Sequence, residues 1–222
     1  MKKEIYNKLN GKIKTWRKPY DLSFSPTRPK EVQFKPGVTV LVGCNGAGKT
    51  TLIKTIKERC EKNHVPCIDF DNYHDGGSQS IGSALFHGNI DFVSSMITSS
   101  EGEKITHNVM QFARKIGQKV RYDYTEAKEI WIAFDATDSG LSIDNVIDLK
   151  EFFQFLLDEE NEKELYIIVS ANEYEMCIDL PCMDVSSGKY VDFPTYESYK
   201  KFILKSREIK NKIGRASCRE RV

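Results

Sequence analysis

The sequence predicts an α/β fold: a mostly parallel sheet flanked by helices on both faces, with an antiparallel β portion toward the N-terminus. Three observations predict it. Apolar, β-branched runs such as "GVTVLVG" and "LYIIVS" read as strands buried on both faces. They alternate with segments whose apolar residues recur at helical spacing, the pattern of strand–helix–strand units. Residues 10 to 35 hold only short runs, "KIKTW", "YDLSF" and "EVQF", separated by Pro19, Pro26 and Pro29.

Each element follows from local chemistry. "GVTVLVG" (37 to 43) is a strand that ends on glycine, and "KTTLIKTIKERCEKN" (49 to 63) sets Leu52, Ile53 and Ile56 on one helix face before Asn63 ends it. "VPCIDFD" (65 to 71) is the next strand, and the Gly/Ser-rich "DGGSQSIGS" (75 to 83) is a loop. "SSEGEKITHNVMQFARKIGQK" begins with serines and acids and continues with Ile105, Val109, Phe112 and Ile116, a helix with a good start. The strand at 129 to 134, the helix "SIDNVIDLKEFFQFLLDEE" and the strand 165 to 170 follow. A hairpin, "CMDVSSGKYVDF", and a basic helix from Tyr196 to Lys212 close the order. The lysines and arginines of "KKFILKSREIKNK" read as one exposed face of that last helix.

Bulk properties bound the rest. The 222 residues are 40% hydrophobic and 29% charged, enough for one sizeable domain and little more. No apolar run approaches the ~18 residues of a membrane span. "MKKEIYNKLNGK" lacks the apolar stretch of a secretion signal, so the expected compartment is the cytoplasm. The tail Ile213–Val222, "IGRASCRERV", back-translates into something resembling a sequencing adapter and is set aside as non-native, leaving 1–212 as a single domain. With it removed, acidic and basic residues nearly cancel, so the net charge supplies no global footprint for nucleic acid. Cys44, Cys60, Cys67, Cys177 and Cys182 show no zinc spacing and are expected to be reduced. His64, His74, His87 and His107 show no ligand spacing either.

The most specific stretch is "GCNGAGKT", which satisfies GxxxxGK[ST] between a predicted strand and a predicted helix. Glycines let the loop curl so that backbone N–H groups point at phosphate oxygens, and the helix N-terminus adds partial positive charge. Gly43, Cys44, Asn45, Gly46, Ala47, Gly48, Lys49, Thr50 and Thr51 are therefore expected to hold a nucleotide, and the loop alone is also compatible with a small-molecule kinase. Lys49 would reach the β- and γ-phosphates, and Thr50 would ligate Mg²⁺.

Further motifs resemble those of ABC-type ATPases, over about residues 30 to 195. "GCNGAGKTT" matches their GxNGxGKTT loop, and "SSEGE" (99 to 103) is similar to their signature. "IAFDATDSGLS" resembles a Walker B strand and D-loop, with Asp135 as the metal-side aspartate and Ser139-Gly140-Leu141 in the D-loop. "IIVSANE" stands where the family carries a strand ending in a switch histidine, with Asn172 in the histidine's place. The Ser-x-Gly-Glu signature looks more like the recombination and chromosome-maintenance branch, and like small bacterial or phage AAA-family ATPases, than like transporter cassettes.

The resemblance implies an ATP-dependent homodimer in which Ser100, Gly102 and Glu103 face the γ-phosphate of the opposite subunit. It implies Gln79 as a Mg²⁺ ligand, although a polar loop residue is an equal reading of that position. Trp16 or Tyr20 would stack on adenine or pack the N-terminal strands, and Arg17 and Arg28 would touch phosphate or lie in solvent. Where the family carries a water-activating glutamate after the aspartate, this chain has Ala136. The base is then relocated, to Asp138 or Glu101, or there is no dedicated base; Asn172 in place of the switch histidine is a second departure at the catalytic end. Slow hydrolysis is expected. The alternatives are a nucleotide-gated scaffold without turnover and, less favoured, a transporter cassette; a DNA, nuclease or recombination partner would follow from analogy alone.

Overall fold

The structure, a computed structural model, describes residues 6–15, 29–71, 116–135, 142–159 and 162–219. Among the described residues there are two sheets. The smaller pairs β1 (Lys12–Lys14) with β2 (Glu31–Gln33) antiparallel, Ile13 opposite Val32. The larger has six strands: β3 (Gly37–Val42), β4 (Cys67–Asp71), β5 (Glu129–Asp135), β6 (Glu164–Ser170), β7 (Cys182–Asp184) and β8 (Lys189–Val191). Their order is β4-β5-β6-β3-β7-β8, and every neighbouring pair is parallel except the β7–β8 hairpin.

The unbroken apolar strands are explained by what covers them. Val38, Val40 and Val42 of β3, Ile130, Ile132 and Phe134 of β5, and Ile167 and Val169 of β6 share one core. Helix α2 (Ile143–Glu159) covers that face with Val146, Leu149, Phe153 and Leu156. The alternate residues Leu41, Trp131, Ala133, Tyr166 and Ile168 point the other way. There they meet Leu52, Ile53, Ile56 and Cys60 of α1 (Lys49–Lys62), Ile13 and Val32 of the small sheet, and Phe34 just after it. Burial of each such aliphatic side chain stabilises by about 1.5–3 kcal/mol before conformational entropy is counted.

The small sheet is also fastened by a charge. Glu129 is fully buried at the start of β5, and its carboxylate accepts the Leu9 and Asn10 amides at 2.9 and 2.8 Å and the Trp131 indole N–H at 2.7 Å. Trp131 in turn stacks on Tyr166 at 4.5 Å and meets Phe34 edge-on at 5.5 Å.

Several elements fall where the sequence predicts them: β3, α1, β4, β5, α2, β6 and the hairpin. Other features emerge only in three dimensions. A short helix, α3 (Tyr174–Cys177), follows β6, and a π turn (Lys119–Asp123) precedes β5. The closing helix α4 runs from Tyr196 past Lys212 to Arg219. The described lysines and Arg207 of its basic run are exposed as expected, while Ser206 between them is buried and Lys210 also bonds to the loop after β3. The strand "YDLSF", the loop at 75 to 83 and the helix expected before Ile116 lie outside the described residues, as do Trp16, Arg17, Tyr20, Arg28, His74, His87 and His107. Among the described residues, no helix is long and apolar enough to cross a membrane.

Candidate functional site

The sheet order determines which side chains meet. Strand β6 lies between β3 and β5, so the loop leaving β3 and the aspartate ending β5 flank the end of a shared neighbour. In the β5–β6 register Phe134 faces Val169, which brings the next residues, Asp135 and Ser170, side by side on the same face. The Ser170 hydroxyl donates to Asp135 Oδ1 at 2.6 Å. From α1, Thr50 Oγ1 donates to the same oxygen at 3.2 Å.

The loop between β3 and α1 is tightly wound. Ala47 N–H donates to the Cys44 carbonyl at 2.9 Å, and the Lys49 ammonium folds back to the Gly43 carbonyl at 2.8 Å. Gly43 has φ 153°, and a Cβ there would come within 2.9 Å of Ala47 Cβ and 3.0 Å of Val185 Cγ2. No larger residue fits without moving the loop. Beyond the loop, α1 begins at Lys49, and the amides of its first turn have no helical acceptor. An anion is the natural occupant of such a place.

Lys49 and Asp135 are each only 8% exposed, so one buried cation and one buried carboxylate line the same end of the sheet. Buried charges of this kind are costly unless paired or hydrogen-bonded, and both are held here by hydrogen bonds. A cavity of about 550 Å³ opens beside the loop, between Gly43, Cys44, Asn45 and Asn172 on one side and α4 on the other. Asn172 follows β6, and its carbonyl accepts the Tyr199 hydroxyl at 2.7 Å.

The structure thus brings together Gly43 to Thr51, Asp135 and Asn172. Gln79, Ser100, Glu101, Gly102, Glu103, Ala136, Asp138 and the D-loop residues 139 to 141 lie outside the described residues. Three contributors escape a sequence reading. Ser170 is a polar residue closing an apolar strand, which is a weak signal. Ser206 and Lys210 continue the inward stripe that Tyr199, Phe202 and Ile203 begin on α4, a helical periodicity masked by the surrounding lysines.

A glycine loop between strand and helix, a lysine folded into it, and an aspartate on the strand beyond an intervening neighbour are the parts of a P-loop nucleotide-binding fold. The mostly parallel sheet with a separate antiparallel pair is the architecture that the sequence predicts. Residues 22–60, which include the loop, match the model of an AAA domain family. Among solved structures, the chain is similar to cbiO1 from Clostridium perfringens, part of the ABC transporter complex cbiONQ. That match has 15% identity and a TM-score of 0.39, covering 86% of this chain and 90% of that one. It is also similar to MJ1267, an ATP-binding cassette of an ABC transporter in its ADP conformation, with 18% identity and a TM-score of 0.40, covering 81% and 89% of the two chains. A search of curated proteins gave no match.

Proposed function

We propose that the chain binds ATP with Mg²⁺ at Gly43–Thr51 and acts as an ATP-dependent dimerising switch that hydrolyses its nucleotide slowly. The observation that carries this reading is the contact between Thr50 and Asp135, a P-loop hydroxyl and a strand-end carboxylate sharing one hydrogen bond at 3.2 Å. Hydroxyl and carboxylate oxygens suit a hard divalent cation, and phosphate and water would complete its shell. Thr50 and Asp135 would hold Mg²⁺, which when bound supplies charge neutralisation at the phosphates. The chain's own groups do the rest. Lys49 turns from the Gly43 carbonyl to phosphate, the loop amides orient the polyphosphate, and Ser170 keeps Asp135 in place.

Switching rests on the resemblance of "SSEGE" to a signature that meets the γ-phosphate across a dimer. ADP lacks that phosphate, so hydrolysis would remove the contact favouring assembly. With Ala136 after Asp135, no carboxylate occupies the usual base position, and a long-lived ATP-bound state follows. The near-neutral chain offers no large basic field, and a role in recombination, repair or phage DNA metabolism rests on motif analogy alone.

Light scattering with and without ATP·Mg²⁺ tests the switch. Wild type should double in mass with ATP, and Ser100→Arg should stay monomeric while still binding the nucleotide. One unchanged wild-type mass in both conditions contradicts the dimer.

A further inference from the structure

Helix α4 touches the P-loop twice from one face. The buried Ser206 hydroxyl accepts the Cys44 N–H at 3.2 Å, and one turn later the Lys210 ammonium donates to the Asn45 carbonyl at 2.7 Å. Lys210 passes so close to the loop that a Cβ on Gly46, where φ is 74°, would lie 2.6 Å from its Nζ. Arg207 joins Lys210 on the wall of the cavity of about 550 Å³, opposite Gly43, Cys44, Asn45 and Asn172. Two cations therefore flank the N-terminal half of the loop, while Lys49 is tied to Gly43.

A single carbonyl is a weak partner for a long cationic side chain, whose ordering costs rotamer freedom. A polyphosphate in the loop would be a far stronger one, since hydrogen bonds between ammonium and phosphate are charge-assisted. The direction of approach matters. The cavity lies between the start of the loop and Asn172, which follows the β6 strand whose end touches Asp135. Cations on that wall share the cavity with Gly43, Cys44 and Asn45 of the loop.

We propose that Lys210, with Arg207 beside it, contacts the terminal phosphate of the bound nucleoside triphosphate in cis, so that α4 reads whether that phosphate is present. This rests on the P-loop binding ATP. Lys210 exchanges the Asn45 carbonyl for a phosphate oxygen, and Ser206 keeps α4 docked whichever nucleotide is bound.

Equilibrium binding of fluorescent ATP and ADP analogues to the full chain separates this from a purely structural staple. Lys210→Ala should weaken the triphosphate by about tenfold, the loss of one charge-assisted hydrogen bond, and change the diphosphate little. Lys210→Arg should restore the preference, and Arg207→Ala should reduce it in the same sense. Thermal melts without nucleotide identify any variant that fails to fold, and in that case Lys210→Gln and Arg207→Ala carry the measurement. An unchanged ratio of triphosphate to diphosphate affinity in these variants overturns the proposal while leaving the P-loop reading intact. A wild type that binds neither nucleotide overturns both.

Discussion

Ser170 and Asp135 end neighbouring strands, and the serine hydroxyl donates to the aspartate at 2.6 Å, on the same oxygen that Thr50 reaches. The strand register determines this pairing, since parallel partners in step present their side chains on one face. A carboxylate held from two sides is pre-oriented for a cation.

Ser170→Ala should therefore weaken the Mg²⁺-dependent part of ATP binding by about tenfold, the loss of one hydrogen bond to a charged group. Binding measured in chelator should be unaffected. Titrations with and without Mg²⁺ check this, and an equal loss in both would assign Ser170 to loop packing.

Turnover should be slow. Positioning without a dedicated base leaves steady-state phosphate release below the ~1 s⁻¹ of ordinary enzymes. Asp138→Asn should lower that rate further if Asp138 orients water, and Ala136→Glu should raise it if the geometry is of the ABC type. Wild-type release at tens per second would show that an efficient base lies elsewhere.

Glu129 is a structural charge, and removing it should be costly. Glu129→Gln keeps the shape but puts a donor NH2 where one of the two oxygens accepting from Leu9, Asn10 and Trp131 stood, and it removes the charge from the hydrogen bonds that remain. A loss of about 2–3 kcal/mol in stability is expected. Urea unfolding followed by Trp131 fluorescence measures it, and an unchanged midpoint contradicts the role.

Tyr166 gives a pH test. Burial first, and the negative charge of Glu129 second, push its phenol up to about 12. The unfolded phenol ionises near 10, so above that pH the unfolded chain holds fewer protons than the folded one and stability falls as pH rises toward 12. Below pH 10 this contribution is fully present. Tyr166→Phe should flatten the decline between 10 and 12, and identical alkaline melting curves for the two proteins would contradict it.

Much of this was legible in the sequence because its signals are local. The strand–loop–helix at 37 to 63 carries its own turn chemistry, and a parallel strand buried on both faces is apolar at every position, as in "IWIAF". Asp135 stands out as the charge that ends such a run. What escaped is set by packing between distant segments. Ser206 and Cys44 are far apart in sequence, and no local pattern says that a lysine-rich helix will turn one serine and one lysine onto the loop. Ser170 is similarly silent until the β5–β6 register is known, and Glu129 resembles any surface glutamate until Leu9, Asn10 and Trp131 surround it.

The most direct test of the account is binding of a fluorescent ATP analogue to wild type and to Lys49→Ala. Lys49 is buried inside the loop with its ammonium on the Gly43 carbonyl, so its removal strips the site of its internal cation. Wild type should bind in a saturable, Mg²⁺-enhanced manner, and Lys49→Ala should lose about 100-fold in affinity or bind no measurable analogue, the scale of losing a buried charge-assisted contact. Equal affinity in the two proteins would contradict the assignment of Gly43–Thr51 as the nucleotide site.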